Sequence, residues 1–178
     1  MSNALTRRSF SLLPLLLCAG SSAVALAGKA RAATLPAPTG ATILTISGKI
    51  ANTNDHGRAV FDRAMLESLG METVTSKTPW YKEACSFEGI SLAKLMRYVG
   101  ASGDRIIATA LNDYSSELPI SDFTQYGTIL ALKRNGEYLP VSDKGPLFII
   151  YPFDSNPFLQ QDRFYMRSVW QVYDIQVK

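Results

Sequence analysis

The sequence has few of the residues that usually carry metal or nucleophilic chemistry. Its 178 residues include two cysteines, Cys18 and Cys85, and one histidine, His56. Neither His56 nor Cys85 has a second histidine or cysteine close by, so no metal site is predicted. Glycine-rich phosphate loops, serine-centred elbows and metalloprotease helix motifs are also missing. A lone cysteine among apolar neighbours is usually a small buried residue, an interpretation that we favour for Cys85 over a metal ligand.

Basic residues are concentrated at the start of the chain. Residues 1–32 contain four of the 18 lysines and arginines and no acidic residue. The remainder therefore has 14 basic and 15 acidic residues, a formal charge of −1. Because no block of basic residues remains after residue 32, nucleic acid is not an expected partner.

The first 32 residues have the pattern of an export signal. Arg7 and Arg8 precede an apolar run at 12–26, and small residues at the spacing read by signal peptidase end at Ala32. The run is short for a membrane span, so a cleaved signal is favoured over an anchor. "TRRSFSL" resembles a twin-arginine signal, which we favour over an ordinary secretory one. We therefore expect a periplasmic protein, cleaved near Ala32, with no membrane contact after cleavage.

The rest of the chain is predicted to form one domain, 43–178, after a small, proline-containing linker at 33–42. Apolar residues at helical spacing predict the clearest helix over 92–99. Asn135-Gly136, between two strand-like runs, predicts a hairpin. Segment 120–127 is interpreted as an acidic turn. Strands outnumber helices in an irregular order, which predicts an α+β fold with a mixed β-sheet.

Four segments, in this order, resemble the oxidoreductase molybdopterin-binding domain. They are "FEGISLAKLM", "ALNDYSSELPISD", "ILALKRNGEYLPVSDKGPLFIIYP" and "SVWQVYDIQV". The family includes sulfite oxidases, plant nitrate reductases and the periplasmic methionine-sulfoxide reductase catalytic subunit. The resemblance covers 43–178 and is most specific from Leu130 to Pro152. It implies a sulfite-oxidase-type fold, a molybdopterin cofactor and oxidoreductase chemistry.

The sequence differs from catalytic members of this family where they hold the cofactor. The metal-binding cysteine corresponds to Ser76 or Lys77, and a hydroxyl is a far poorer ligand for such a metal than a thiolate. Asp143 replaces a usual histidine, Phe148 a usual arginine, and Trp170 a usual lysine. The resemblance implies that those basic groups hold a pterin phosphate or an anionic substrate.

Two functions remain open. In one, the chain binds molybdopterin and transfers oxygen or electrons, which would need a separate redox partner because no haem-attachment motif is present. In the other, it is a non-catalytic module that uses the inherited pocket for a small ligand or a protein partner. A basic, concave pocket would favour the first, and a shallower, aromatic or acidic one the second. The catalytic residues are not identified, and the candidate pocket residues are Ser76, Trp80, Asn112, Asp113, Tyr114, Asp143, Lys144 and Arg167.

Two of the segments that contain candidate pocket residues can equally be interpreted as simple turns. Residues 112–114 can form a turn held by Asx side-chain hydrogen bonds, and residues 143–146 a type I or II turn. Eight aromatic residues also lie between Phe148 and Tyr173, and about half of them should be core. If the others cluster with Trp80 and Tyr81, they could line a groove for a flat ligand or a partner's loop.

Overall fold

Ten strands and four short helices organise residues 34–178, the part of the chain that the computed structural model describes. The strands are β1 (Leu44–Gly48), β2 (Ala59–Phe61), β3 (Met71–Thr78), β4 (Tyr81–Ser91), β5 (Arg105–Ala110), β6 (Ser115–Pro119), β7 (Ile129–Arg134), β8 (Glu137–Tyr138), β9 (Phe148–Ile150) and β10 (Val172–Val177). The helices are α1 (Arg63–Ser68), α2 (Leu92–Tyr98), α3 (Ser121–Tyr126) and α4 (Asp162–Arg167). Three 3-10 turns lie at Val141–Asp143, Phe153–Ser155 and Pro157–Leu159.

The strands form two sheets. The first has the order β2-β1-β10-β5-β6, in which β1 and β10 run parallel and the other neighbours antiparallel. The second has the order β3-β4-β7-β8, with β9 also paired to β7, and all of its pairs are antiparallel. A mixed sheet with few helices is what the sequence predicts, and the α+β class is confirmed.

Helix α2 forms where the apolar spacing predicts it. Leu92, Leu95 and Met96 are buried, and the Ser91 hydroxyl accepts the backbone N–H of Lys94 at 3.4 Å. Gly100 follows with φ of 64°, a left-handed conformation that costs glycine little. The Asn135-Gly136 hairpin between β7 and β8 is also present.

One local prediction is wrong. Segment 120–127 is not a turn but contains α3, in which Asp122 and Phe123 are buried. Cys85 lies within β4, which continues without a break as far as Ser91. Gly89 is needed there, since a Cβ would lie 2.1 Å from the carbonyl oxygen of Leu130 on β7.

Strand β7 separates two hydrophobic clusters. Leu130 and Leu132 face the main core, which contains residues of both sheets and of all four helices. Ile129 and Ala131 face a smaller cluster that contains Cys85. This strand is therefore apolar on both faces, so its sequence reads as a continuous hydrophobic run.

The predicted signal at 1–32 lies outside the described residues. Residues 34–42 of the predicted linker form no helix or strand, but they pack on the domain. Leu35 is buried, and its N–H donates to the carbonyl oxygen of Thr53 at 3.1 Å. Among residues 34–178, no helix is long and apolar enough to cross a bilayer.

Candidate functional site

A cavity of about 320 Å³ opens where three parts of the fold meet. The turn between β3 and β4, the turn between β5 and β6, and helix α4 with the residues after it each contribute to its wall. We call this cavity the aromatic pocket. Its lining residues are Trp80, Ala110, Asn112, Tyr114, Tyr165, Met166, Ser168 and Trp170.

Trp80 holds the pocket wall together. It occupies the two-residue turn between β3 and β4, and its ring makes edge contacts with four other rings. The centroid distances are 5.3 Å to Phe148, 6.1 Å to Phe153, 6.2 Å to Tyr165 and 5.8 Å to Trp170. Edge-to-face contacts of this kind stabilise aromatic pairs beyond the area that they bury.

The turn between β5 and β6 brings two predicted residues to the pocket. The Asn112 side chain accepts the N–H of Tyr114 at 3.2 Å, so this segment is an Asx turn and also part of a pocket wall. Asp113 has φ of 64° and is exposed, and it does not line the pocket. The Tyr114 hydroxyl donates to the carbonyl oxygen of Met166 at 3.0 Å, which ties this turn to α4.

A buried carboxylate fixes α4. Asp122 is 6% exposed and accepts hydrogen bonds from the Tyr151 hydroxyl at 2.9 Å and from Arg167 Nη1 at 2.8 Å. Burial, together with the charge of Asp122, raises the pKa of Tyr151, so this phenol stays protonated and donates. Arg167 is therefore engaged in a buried ion pair and does not line the pocket.

A second group of charges lies behind Trp170, and we call it the Asp143 cluster. Asp143 accepts from the Tyr81 hydroxyl at 3.0 Å and pairs with Arg134 at 2.9 Å and Lys144 at 3.4 Å. Both cations also lie over the Tyr81 ring, at 4.1 and 4.7 Å from its centroid. Lys144 Nζ is 5.8 Å from the Trp170 ring centroid, so this cluster borders the pocket without lining it.

The pKa values of this cluster follow from its contacts. Burial, followed by the hydrogen bond to Asp143, raises the pKa of Tyr81 to about 12. Burial opposes ionisation of Asp143, but the Tyr81 hydrogen bond and the charges of Arg134 and Lys144 outweigh it and lower the pKa of Asp143. One carboxylate thus holds two cations at neutral pH.

Ser76 and Cys85, the two residues considered as metal ligands, face each other across β3 and β4. Ser76 is fully buried; its hydroxyl donates to the carbonyl oxygen of Lys77 at 3.0 Å and accepts the N–H of Asp154 at 3.2 Å. The Cys85 thiol is buried in the smaller core cluster and lies 3.5 Å from the carbonyl oxygen of Glu83. Neither residue lines the aromatic pocket. Residues 34–178 contain no group of three or more histidine, cysteine or acidic residues that could hold a metal.

Of the eight candidate pocket residues, the structure brings Trp80, Asn112 and Tyr114 together in one wall. Asp113, Asp143, Lys144 and Arg167 lie around that wall, and Ser76 is buried beneath the β3–β4 turn. The aromatic groove hypothesis named Tyr165 and Trp170 but also Tyr81, which packs instead against Phe87. Sequence reasoning missed Ala110, Met166 and Ser168, because only the tertiary packing of α4, which contacts β6, brings them to one pocket.

The comparisons agree with this fold. The family model "Oxidoreductase molybdopterin binding domain" matches residues 59–153, more than half of the chain, and the chain belongs to that family. The sulfane dehydrogenase SoxCD from Paracoccus pantotrophus has a similar structure, with a TM-score of 0.55 and 17% identity. The match covers 75% of this chain and 37% of that one, so this chain spans well under half of its length. At this identity the likeness establishes the fold alone, which is of the sulfite-oxidase type. A search of curated proteins found no match.

The residues of the aromatic pocket do not suit a molybdopterin cofactor. Such a cofactor would need a thiolate for the metal and cations for its phosphate, by resemblance to the catalytic family members. The pocket lining includes no cysteine, lysine, arginine or histidine. Of the nearby cations, Arg134, Lys144 and Arg167 are each paired with a carboxylate, and Lys77 lines the adjacent smaller cavity instead of this pocket. The lining instead has four aromatic rings, two of them tyrosines with hydroxyls, together with the Asn112 amide and the Ser168 hydroxyl.

Proposed function

We propose that this chain is an exported, non-catalytic member of the molybdopterin-binding oxidoreductase family that binds a flat, uncharged ring in its aromatic pocket. The observation that carries the proposal is the pocket lining, which has four aromatic rings and no acidic, basic or cysteine side chain. Ligand pockets are typically apolar, with a few polar groups that fix orientation. Asn112 and Ser168 are the polar groups here.

The size of the pocket favours a small ligand. About 320 Å³ is at the lower end of the range of roughly 300–1,000 Å³ found for ligand sites. One ring system would fill it. Edge contacts fix the Trp80 and Trp170 rings against each other at 5.8 Å, so the wall is formed before a ligand binds. A preformed wall costs little ordering entropy on binding.

Electrostatics disfavour an anionic ligand. A phosphate in this pocket would lose hydration without gaining a paired cation, because Lys144 and Arg167 are held by Asp143 and Asp122. Freeing either cation would leave its carboxylate partner without an ion pair. An uncharged ring avoids both costs.

Export is part of the proposal. The twin-arginine-like signal would deliver the domain to the periplasm, with cleavage near Ala32, and a membrane contact is not expected afterwards. A protein partner is a second candidate occupant. Leu111, Tyr114 and Met166 are 49%, 44% and 62% exposed, and Tyr114 and Met166 are part of the pocket wall. Exposed apolar residues around a pocket are typical of protein-binding surfaces.

Intrinsic fluorescence tests the ligand directly, because the chain's two tryptophans, Trp80 and Trp170, both line the pocket. We would titrate the protein with lumiflavin, an uncharged flat ring system, and with riboflavin and FMN, which carry the same polyol tail without and with a phosphate. The proposal predicts saturable quenching by lumiflavin, and binding of FMN at least about tenfold weaker than that of riboflavin, equivalent to about 1.4 kcal/mol. Met166→Glu, which places a carboxylate at the pocket, should weaken lumiflavin binding, and the exposed Asp113→Ala should not.

Two results would contradict the proposal. Binding of FMN as tight as that of riboflavin would show that an anion is accepted. A lack of saturable quenching by lumiflavin would leave a protein partner as the candidate occupant, and Leu111→Ser and Met166→Ser would then be the variants to compare in partner capture.

A further inference from the structure

A smaller cavity of about 200 Å³ lies beside the aromatic pocket, and we call it the side cavity. Tyr165 lines both cavities. The β3–β4 turn also contributes to both, since Thr78 lines the side cavity and Trp80, two residues later, lines the aromatic pocket. The two cavities are therefore neighbours along one wall of the protein.

Thr78 has a feature that packing does not explain. It is 8% exposed, and its hydroxyl is the one buried side-chain oxygen or nitrogen without a hydrogen-bond partner within residues 34–178. Buried polar groups are nearly always paired, because an unpaired one loses its hydration without compensation. Ser76, two residues earlier on the same strand, has both a donor and an acceptor contact. Solvent does not reach this oxygen in the structure, so a ligand in the side cavity could pair with it only after the cavity wall has shifted.

Ring packing alone holds the wall between the cavities. Tyr165 packs on Trp80 and Phe153, with ring centroids 6.2 and 5.1 Å away. No hydrogen bond to the Tyr165 hydroxyl is found among residues 34–178, so a rotation of this side chain would give up ring contacts but break no polar contact. By contrast, the hydroxyl of Tyr114, which also lines the aromatic pocket, donates to the Met166 carbonyl oxygen at 3.0 Å.

The charges of the side cavity balance. Lys77 and Asp154 both line it, and the Asp154 carboxylate accepts the Lys77 backbone N–H at 2.7 Å. Gln160 adds an amide, whose nitrogen donates to the Phe153 carbonyl oxygen at 3.2 Å and leaves its oxygen for a donor. One cation, one anion and one amide suit an uncharged, hydroxyl-bearing group better than a phosphate.

We infer that the side cavity is a second subsite for an uncharged hydrogen-bonding tail, which passes Tyr165 and pairs with the Thr78 hydroxyl while the ring occupies the aromatic pocket. This inference rests on the proposed function and specifies its ligand class as a flat ring with a polyhydroxyl or amide substituent. Thr78 is then a specificity residue for the tail, and Tyr165 is the movable wall between ring and tail.

Three flavins that share one ring system separate this inference from the function on which it rests. Lumiflavin has the ring alone, riboflavin adds an uncharged polyol tail, and FMN adds a phosphate to that tail. The wild-type chain should bind riboflavin about tenfold more tightly than lumiflavin, read from tryptophan quenching. Thr78→Val keeps the shape and removes the hydroxyl, so it should abolish most of that advantage and leave lumiflavin affinity unchanged.

Matched controls keep the test specific. Thr128 is a buried threonine that lines neither cavity, and its hydroxyl lies 3.5 Å from the carbonyl oxygen of Asp122. Thr128→Val should therefore not change the ratio of riboflavin to lumiflavin affinity. Gln160→Ala, on the exposed side of the side cavity, provides a second variant and should reduce that ratio severalfold.

The outcomes distinguish the two claims. The subsite is refuted if lumiflavin binds but riboflavin binds no more tightly. It is also refuted if riboflavin binds more tightly than lumiflavin by the same factor in Thr78→Val as in the wild type. In both cases the proposal of ring binding in the aromatic pocket is unaffected. If neither flavin binds, the proposed function fails and the subsite fails with it.

Discussion

The aromatic pocket and the Asp143 cluster meet at Trp170 and differ in how they treat charge. On one side of this ring lies a wall of aromatic, amide and hydroxyl groups. On the other, Arg134 and Lys144 share a single carboxylate. The chain therefore has cations close to the pocket, but Asp143 holds two of them and Asp122 a third. The comparison teaches that the charge facing a ligand is decided by which cations are already paired, so breaking those pairs should change what the pocket accepts.

Breaking the buried pair should have the largest effect. Asp122→Ala leaves the Tyr151 hydroxyl and the Arg167 guanidinium without their shared acceptor. We expect the free energy of unfolding to fall by about 3 kcal/mol, since removing one partner of a buried pair is strongly destabilising. Urea denaturation measures it. The control is Glu83→Ala, at an exposed position of β4, with an expected change within about 0.5 kcal/mol, and equal effects of the two would refute the role of Asp122.

Breaking the half-buried ion pairs of Asp143 should cost less stability than removing Asp122, and it should change ligand selectivity more. Asp143→Asn keeps an acceptor for Tyr81 but frees Arg134 and Lys144 of their counter-charge. We expect a loss of about 1 kcal/mol in stability and an increase of about tenfold in FMN affinity relative to lumiflavin. Glu137 is an exposed acidic residue on β8. Glu137→Ala should leave the ratio of FMN to lumiflavin affinity unchanged. An unchanged ratio in Asp143→Asn would mean that Lys144 cannot reach the pocket.

Removing the unpaired hydroxyl should stabilise the protein. Thr78→Val replaces a buried group without a partner by a methyl group of similar shape. We expect a gain of about 1 kcal/mol in the free energy of unfolding, because the desolvation cost of the hydroxyl disappears. Thr128→Val should instead lose stability, as its hydroxyl is bonded. Calorimetric melting of both variants checks this, and a destabilised Thr78→Val would indicate an internal partner for the hydroxyl.

The smallest expected effect is a dependence on alkaline pH. The pKa of Tyr81 is raised from 10.0 to about 12 in the folded protein. Above pH 10 the unfolded chain loses this proton while the folded chain keeps it, so the contribution of Tyr81 to stability disappears as the pH rises from about 10 to about 12. Denaturation at pH 9 and 11.5 should show a smaller loss in Tyr81→Phe than in the wild type. Equal losses would show that the phenol is not shielded.

Local signals explain which parts of this fold the sequence predicts. Helix α2 has a capping serine and three buried apolar residues at helical spacing. Helix α3 has neither: Ile120 at its N-cap makes no side-chain hydrogen bond, and its buried Asp122 looks like a turn residue. No local signal separates β4 from α2, because Ser91 both ends the strand and caps the helix.

The pocket residues also divide into those that local sequence signals indicate and those that only the tertiary structure reveals. Trp80, Asn112 and Tyr114 lie in tight turns next to strands, a position from which sequence reasoning could select them. Met166 lies in α4 and Ser168 follows directly after it, and the position of this helix depends on the Asp122–Arg167 pair, a long-range contact that no local pattern shows. Lys144 and Asp143 are neighbours in sequence, so their ion pair is easy to foresee. That the pair lies beside the pocket is not, because this depends on the position of Trp170.

Molybdenum and pterin content tests the central claim most directly. The full chain would be expressed in a host that makes the cofactor, purified from the periplasm, and analysed for molybdenum by mass spectrometry and for pterin by fluorescence after oxidation. The account predicts folded protein with neither, and saturable lumiflavin quenching in the same sample. Near-stoichiometric molybdenum and pterin, lost in Ser76→Ala or Cys85→Ala, would contradict it and would identify the metal ligand.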